Sequence, residues 1–108
     1  VSETAGPALV WCPFPGPDEA RAAAAVLLDE GLIACANIVP GIESHFVWNG
    51  TRDTATEAGA LFKTNSRCLE KVVARLEVLH PYQQPTILGW SCDAATSATA
   101  TWLGGLGG

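Results

Sequence analysis

The stretch Gly31-Leu32-Ile33-Ala34-Cys35-Ala36-Asn37-Ile38-Val39-Pro40-Gly41 is apolar on both sides of an extended chain and is interrupted by Pro-Gly. In a strand, Leu32, Ala34, Ala36 and Ile38 face one way, and Ile33, Cys35 and Val39 the other. A strand apolar on both faces is expected at the centre of a sheet, covered on both sides. In a chain of 108 residues, a partner subunit is the expected source of the second cover. Pro40-Gly41 reads as a bulge or bend, because proline removes a ladder donor and glycine relieves backbone strain.

Working outward, Asn49-Gly50 is a type I′ hairpin signal. It joins a second strand, begun at Leu32 and bent at Pro40-Gly41, to a third strand over 51–64. Ala8 to Cys12 forms a first strand that Pro13-Phe14-Pro15-Gly16-Pro17 stops. Pro17, Asp18 and Glu19 then open a helix that ends near Asp29 or Glu30, with Gly31 as its stop. Asn65 or Ser66 caps a second helix. Its stripe of Leu69, Val72, Val73, Leu76 and Leu79 has helical period, and His80-Pro81 ends it. Thr86 to Cys92 is a fourth strand, and Thr96 to Leu103 suits a short helix. The order is βαββαβ, so the fold class is α+β: a ferredoxin-like sandwich, an antiparallel sheet with two helices on one face and a long hairpin between its second and third strands. Residues 1–108 form one domain, with 1–7 and the Gly-rich 104–108 expected to be flexible.

Composition narrows the function. Apolar residues make up 48% and charged residues 16% of the chain. That apolar load suggests surface shared across a subunit interface. A net charge of −5 argues against nucleic-acid binding, which needs clustered Lys and Arg. Arg67, Lys71 and Arg75 do cluster, but as the solvated face of the second helix. Cys12, Cys35, Cys68 and Cys92 form no CxxC pair and are too sparse for a disulfide scaffold. Reduced thiols in a cytoplasmic protein are expected. No signal peptide is visible and no apolar run reaches the ~20 residues of a membrane span.

Several segments together resemble the CutA family of divalent-cation-tolerance proteins. They are Gly31–Gly41, then Phe46-Val47-Trp48-Asn49-Gly50, Glu57, Phe62-Lys63-Thr64, Leu79-His80-Pro81-Tyr82-Gln83-Gln84-Pro85, and Trp102-Leu103. Their order and spacing carry the resemblance from about Leu9 onward. It implies the same fold and an interlocked homotrimer whose hairpins reach onto neighbouring sheets. It also implies a role in divalent metal tolerance or binding, with no established enzymatic reaction.

Cys35 has two readings, a small core thiol or a soft metal ligand. Cys12 stands where some relatives also carry Cys, and His80 matches the family's histidine motif. Cys12, Cys35 and His80 are therefore the candidate metal set. Thiolate and imidazole donors favour copper, or another divalent metal ion, over Mg or Ca. No metal is required for folding. His80 reads equally as a helix cap.

Trp48, Glu57, Lys63 and Tyr82 are candidate residues of an inter-subunit cleft. Such a cleft is the alternative function: a PII-like small-molecule sensor or adaptor, by fold analogy. A structural trimer that anchors an unidentified protein is a further alternative. Gln83, Gln84 and Thr86 stand where many relatives carry acids, which weakens a hard-cation site. Trp48 and Trp102 are expected as packing anchors. No Gly-rich phosphate loop and no complete nucleophile or acid–base set is present, so no enzyme activity is expected.

Overall fold

The computed structural model describes residues 5–107. Its elements are β1 (Pro7–Phe14), α1 (Pro17–Asp29), β2 (Cys35–Trp48), β3 (Thr51–Asn65), α2 (Leu69–Leu79), β4 (Leu88–Ser91) and α3 (Ser97–Gly104). The strands form one antiparallel sheet in the order β2-β3-β1-β4. This is the expected α+β, βαββαβ arrangement with a short third helix added.

α1 begins at Pro17, whose missing N–H costs nothing there, with Asp18 and Glu19 at the positive end of its dipole. It ends in a Schellman motif. Gly31 N–H donates to the Leu28 carbonyl and Leu32 N–H to the Leu27 carbonyl. Gly31 takes the required left-handed turn at φ 70°. Leu32 is thus spent on closing the helix, so β2 begins at Cys35 rather than at Leu32.

β2 is an edge strand of this chain, not the expected central one. Its apolar double face had suggested cover on both sides. The helices supply cover only on the side of Ala36 and Ile38, which pack against the core. Val39, on the other side, is 51% exposed. β1 also departs from expectation, continuing through Pro13 to Phe14. β4 pairs only with Ala8 to Trp11, so at Pro13 one side of β1 has no ladder to interrupt. β4 itself is shorter than expected, spanning Leu88–Ser91 rather than 86–92.

The core lies between the sheet and the two long helices. Val10, Cys12 and Phe14 of β1 and Phe62 of β3 meet Leu27 of α1 and Val72 and Leu76 of α2. Phe14 and Phe62 meet edge to face at 6.4 Å. Burying each such aromatic contributes about 2–3 kcal/mol. Asn65 is fully buried and satisfied: its Nδ2 donates to the carbonyls of Leu103 and Leu106, and its Oδ1 accepts from Cys68 N–H. It therefore caps the turn before α2 and ties down the C-terminal segment together. Arg67 also donates to the Leu106 carbonyl, and Arg75 pairs with Glu30 of α1. The basic face of α2 is thus partly engaged in internal bonds.

Of the terminal segments expected to be flexible, residues 1–4 and 108 lie outside the described residues. Pro7 is paired with Asn65, and Leu106 carries the bonds just described. Among the described residues no helix is long and apolar enough to cross a membrane.

The β2-β3 hairpin gives the molecule its length of 51 Å against 27 and 22 Å in the other directions. Its turn is Asn49-Gly50, with φ of 50° and 77°, as the type I′ signal requires. Pro40-Gly41 is the expected bulge: pairing is regular to Val39–Gly59 and resumes at Ile42–Glu57. β2 therefore spends one residue more than β3 over this step. Before the bulge, Ala36 and Ile38 stand with Phe62 and Ala60 on the helix-covered face. After it, Ile42, Ser44, Phe46 and Trp48 stand with the odd-numbered residues of β3 instead.

Candidate functional site

Along the outer half of the hairpin, from Glu57 to Asn49 of the turn, runs an open cleft of about 1060 Å3. One wall is Ser44, Phe46, Val47 and Trp48 of β2 with Ala55 and Glu57 of β3. The other is the α2–β4 connection, Pro81 to Gln84 with Thr86; Pro13 closes the base. The bulge puts Phe46 and Trp48 on this side. Had the register of the first half of β2 continued unbroken through the same sequence, Glu43, His45 and Val47 would stand opposite Ala55, Asp53 and Thr51 in place of Ser44, Phe46 and Trp48.

The α2–β4 connection is fixed to the sheet through His80. Its Nε2 donates to the Pro13 carbonyl at 2.7 Å, and its Nδ1 accepts the Tyr82 N–H at 3.1 Å. The backbone donor sets the tautomer, so the proton resides on Nε2. The imidazole stacks on Phe14 with centroids 4.5 Å apart, and Tyr82 leans on its other neighbour side at 4.8 Å. Tyr82 then donates from its hydroxyl to Glu57 Oε2 at 3.1 Å. Burial pushes the Tyr82 hydroxyl above the usual tyrosine range, helped by its bond to Glu57 and by the charges of Glu57 and Glu19.

Three of the expected cleft residues, Trp48, Glu57 and Tyr82, line this one cleft. Within the single chain Lys63 does not join them. It pairs with Leu9 and Cys35 far along β3, six residues or roughly 20 Å from Glu57. Trp48 and Trp102, expected as packing anchors, are 55% and 52% exposed in the chain alone. Sequence reading missed Phe46 as a wall residue. The signal was present, because the Pro40-Gly41 bulge reverses which residues of the hairpin share its face with Glu57.

The metal set is not gathered within one chain. Cys12 pairs with Ala60 on the face that packs against the helices. Cys35 pairs with Lys63 on the opposite face, two strands across and three residues along, on the order of 14 Å away. His80 is next to the end of β1, but both of its nitrogens are already engaged. The Cys12 thiol is pushed up to about 12, first by burial and then by the charge of Glu57, so it is a neutral thiol rather than a ligand thiolate. Cys35 is half-buried, with its Sγ 3.7 Å from Asn37 Oδ1. Among the described residues no three His, Cys, Asp or Glu side chains are grouped to hold a metal ion. Cys12, Cys35 and His80 of one chain therefore do not fit a copper ion together.

The sheet face away from the helices is also informative. Leu9, Trp11, Leu61, Leu88 and Trp90 share it by register, and within the chain no helix covers it. Leu88 and Trp90 are 59% and 44% exposed.

A ferredoxin-like α+β domain with a protruding hairpin and a cleft along it defines the class of protein. The comparisons with known proteins define the family. Residues 8–105 match the family model described as CutA1 divalent ion tolerance protein. The chain belongs to this family. It is 35% identical over 95 residues to the divalent-cation tolerance protein CutA of Thermus thermophilus, covering 88% of this chain and 92% of that one. The Pyrococcus horikoshii protein of the same name is 33% identical over the same shares. Among solved structures, CutA1 from Ehrlichia chaffeensis superposes with a TM-score of 0.88 at 27% identity, over 94% of both chains. A structure titled as the periplasmic divalent cation tolerance protein CutA of Archaeoglobus fulgidus gives 0.84 at 30%, over 90% of this chain and 94% of that one. The family is named for tolerance and not for a reaction.

Proposed function

We propose that this chain serves divalent-cation tolerance as a homo-oligomeric binding protein without enzyme activity, and that its ligand site is the cleft along the outer hairpin. The Tyr82–Glu57 hydrogen bond carries this reading, because it joins the two walls of the cleft through a partly exposed acid. A homotrimer accounts for the apolar sheet face: stacking copies against Trp11, Leu88 and Trp90 would remove it from water. The four unpaired cysteines support a cytoplasmic setting. Cys12 and His80 do not form a nucleophile–base pair, since Cys12 is held as a thiol and both His80 nitrogens are engaged. Copper or another divalent ion would need donors from more than one chain.

The test is native mass spectrometry of the reduced protein, combined with thermal shifts in the presence of metal ions, nucleotides, carboxylates and amines. A trimer whose melting temperature rises with one ligand class, and fails to rise in Glu57→Gln, supports the cleft. One copper per chain, retained in Glu57→Gln and lost in Cys35→Ser, would replace the cleft with a metal centre between chains.

A further inference from the structure

Among the described residues the chain offers one imidazole that the fold does not use. His80 has both ring nitrogens engaged, one with the Pro13 carbonyl and one with the Tyr82 N–H. His45 stands exposed in the outer half of β2, and among the described residues its one hydrogen-bond partner is a carboxylate. Its Nε2 lies 2.6 Å from Oε2 of Glu43, two residues back along the strand. The thiols are less available to a ligand. Cys12 and Cys68 are fully buried, and Cys12 is held protonated.

The Glu43–His45 contact does little for the fold. Residues i and i+2 of a strand share a face wherever the strand lies, so the pair ties no two elements together. An exposed ion pair of this kind adds little stability. The cross-strand partners are Thr56 for Glu43 and Thr54 for His45, both uncharged. Among the described residues no Lys or Arg pairs with Glu43.

We propose that Glu43 and His45 chelate a borderline divalent metal ion, of the zinc, nickel or copper kind, on the hairpin face opposite Ser44 and Phe46. This site includes no residue of the cleft lining and stands or falls apart from it. Imidazole nitrogen and carboxylate oxygen are ordinary donors for such ions. A tetrahedral ion with bonds of about 2.0 Å holds neighbouring donors roughly 3.3 Å apart. The two atoms, now 2.6 Å apart, therefore need to separate by roughly 0.7 Å, which rotation of two exposed side chains supplies. The ion takes the place of the proton the two groups now share, and the ring carries its proton on Nδ1. Water fills the remaining positions, so the site is open and weaker than a closed centre that draws donors from several chains.

The neighbourhood sets the preference. Magnesium and calcium need a set of oxygen ligands and find a single carboxylate here. Arg52 pairs with Val47, one step nearer the turn, and is a diagonal neighbour of His45 on the same face. Its charge opposes a bound cation and lowers the affinity of the site.

Calorimetric titration of the intact oligomer with zinc, nickel and magnesium chlorides tests the site, with a phosphine reductant keeping the thiols reduced. The whole oligomer keeps in place whatever the hairpin touches. The expected result is saturable binding of zinc and nickel at one ion per chain, with none of magnesium. His45→Ala and Glu43→Gln should each weaken binding roughly tenfold or more, because each removes one of two protein donors. Cys35→Ser should leave it unchanged, and Arg52→Ser should tighten it. Both donor side chains are exposed, so the variants should keep the fold, and native mass spectrometry checks the oligomer. Paramagnetic nickel should broaden the imidazole NMR signals of His45 before those of His80. Unchanged affinity in His45→Ala, or earlier broadening of His80, would overturn the site. Binding lost in Cys35→Ser and retained in His45→Ala would overturn it as well and assign the ion to a thiol.

Discussion

His80 donates from Nε2 to the carbonyl oxygen of Pro13 at 2.7 Å, joining the end of α2 to the end of β1. The same ring accepts the Tyr82 N–H and stacks on Phe14. His80→Phe should keep the stack and lose both hydrogen bonds, at a cost of about 2–3 kcal/mol, because it leaves a backbone donor and acceptor without their partners. His80→Ala should cost roughly a further 1–2 kcal/mol through the lost stacking. Urea midpoints of the two variants check this. Equal stability of His80→Phe and the parent chain would show that the bonds contribute nothing net.

Alkaline stability should depend on Cys12. Its folded-state value is raised from 9.0 to about 12, so between those limits the unfolded chain loses a proton that the folded chain keeps. Below about pH 9 the thiol is protonated in both states and its contribution is fully present. As pH rises toward 12 that contribution is lost, by an amount on the order of a few kcal/mol. Cys12→Ala should start less stable at neutral pH and decline less steeply above pH 9. Parallel denaturation curves at pH 8 and 10.5 would show the difference, and equal slopes would refute it.

Asn65→Ala should cost about 3 kcal/mol, because it removes the cap before α2 and strands the carbonyls of Leu103 and Leu106. Amide exchange in 103–107 should accelerate more than exchange in β1. A uniform acceleration across the chain would mean that Asn65 does not hold the C-terminal segment specifically.

Gly59→Ala should be disruptive although it adds a single methyl group. A Cβ there would collide with the Trp11 ring and with Ile42 on the uncovered face of the sheet. Overpacking of this kind costs about 1–3 kcal/mol. Gly41→Ala meets open space but stands at φ 73°, so its cost should be about 1 kcal/mol from backbone strain alone. The Trp11 fluorescence spectrum should shift in the first variant and not in the second.

The hairpin, the helix stripe and the bulge were legible because each is local. Asn49-Gly50, Leu69 to Leu79 and Pro40-Gly41 announce themselves by spacing and backbone preference. The place of β2 in the sheet was not legible, because an edge strand buried by a partner subunit and a central strand carry the same apolar pattern. The relation of Cys12 to Cys35 was equally hidden. It depends on which strand lies between them and on the phase of each, and both residues read simply as thiols in strands. Tyr82 and Glu57 were found by resemblance, but their bond follows from how His80 folds the connection back. Lys63 stands six residues beyond Glu57 along β3, a spacing that its place in the family motif does not convert into a distance.

The regular pairing near Cys35 and the turn at Asn49-Gly50 demand registers of β2 that differ by one residue, and the step at Pro40-Gly41 reconciles them. Removing one residue there would straighten the strand and still leave Ile42 opposite Glu57, with Ser44, Phe46 and Trp48 where they are. The extra residue thus acts like slack in a belt, taken up at one point so that both ends stay in gear. Relatives with a single gap at this point would keep the same lining on a straighter hairpin.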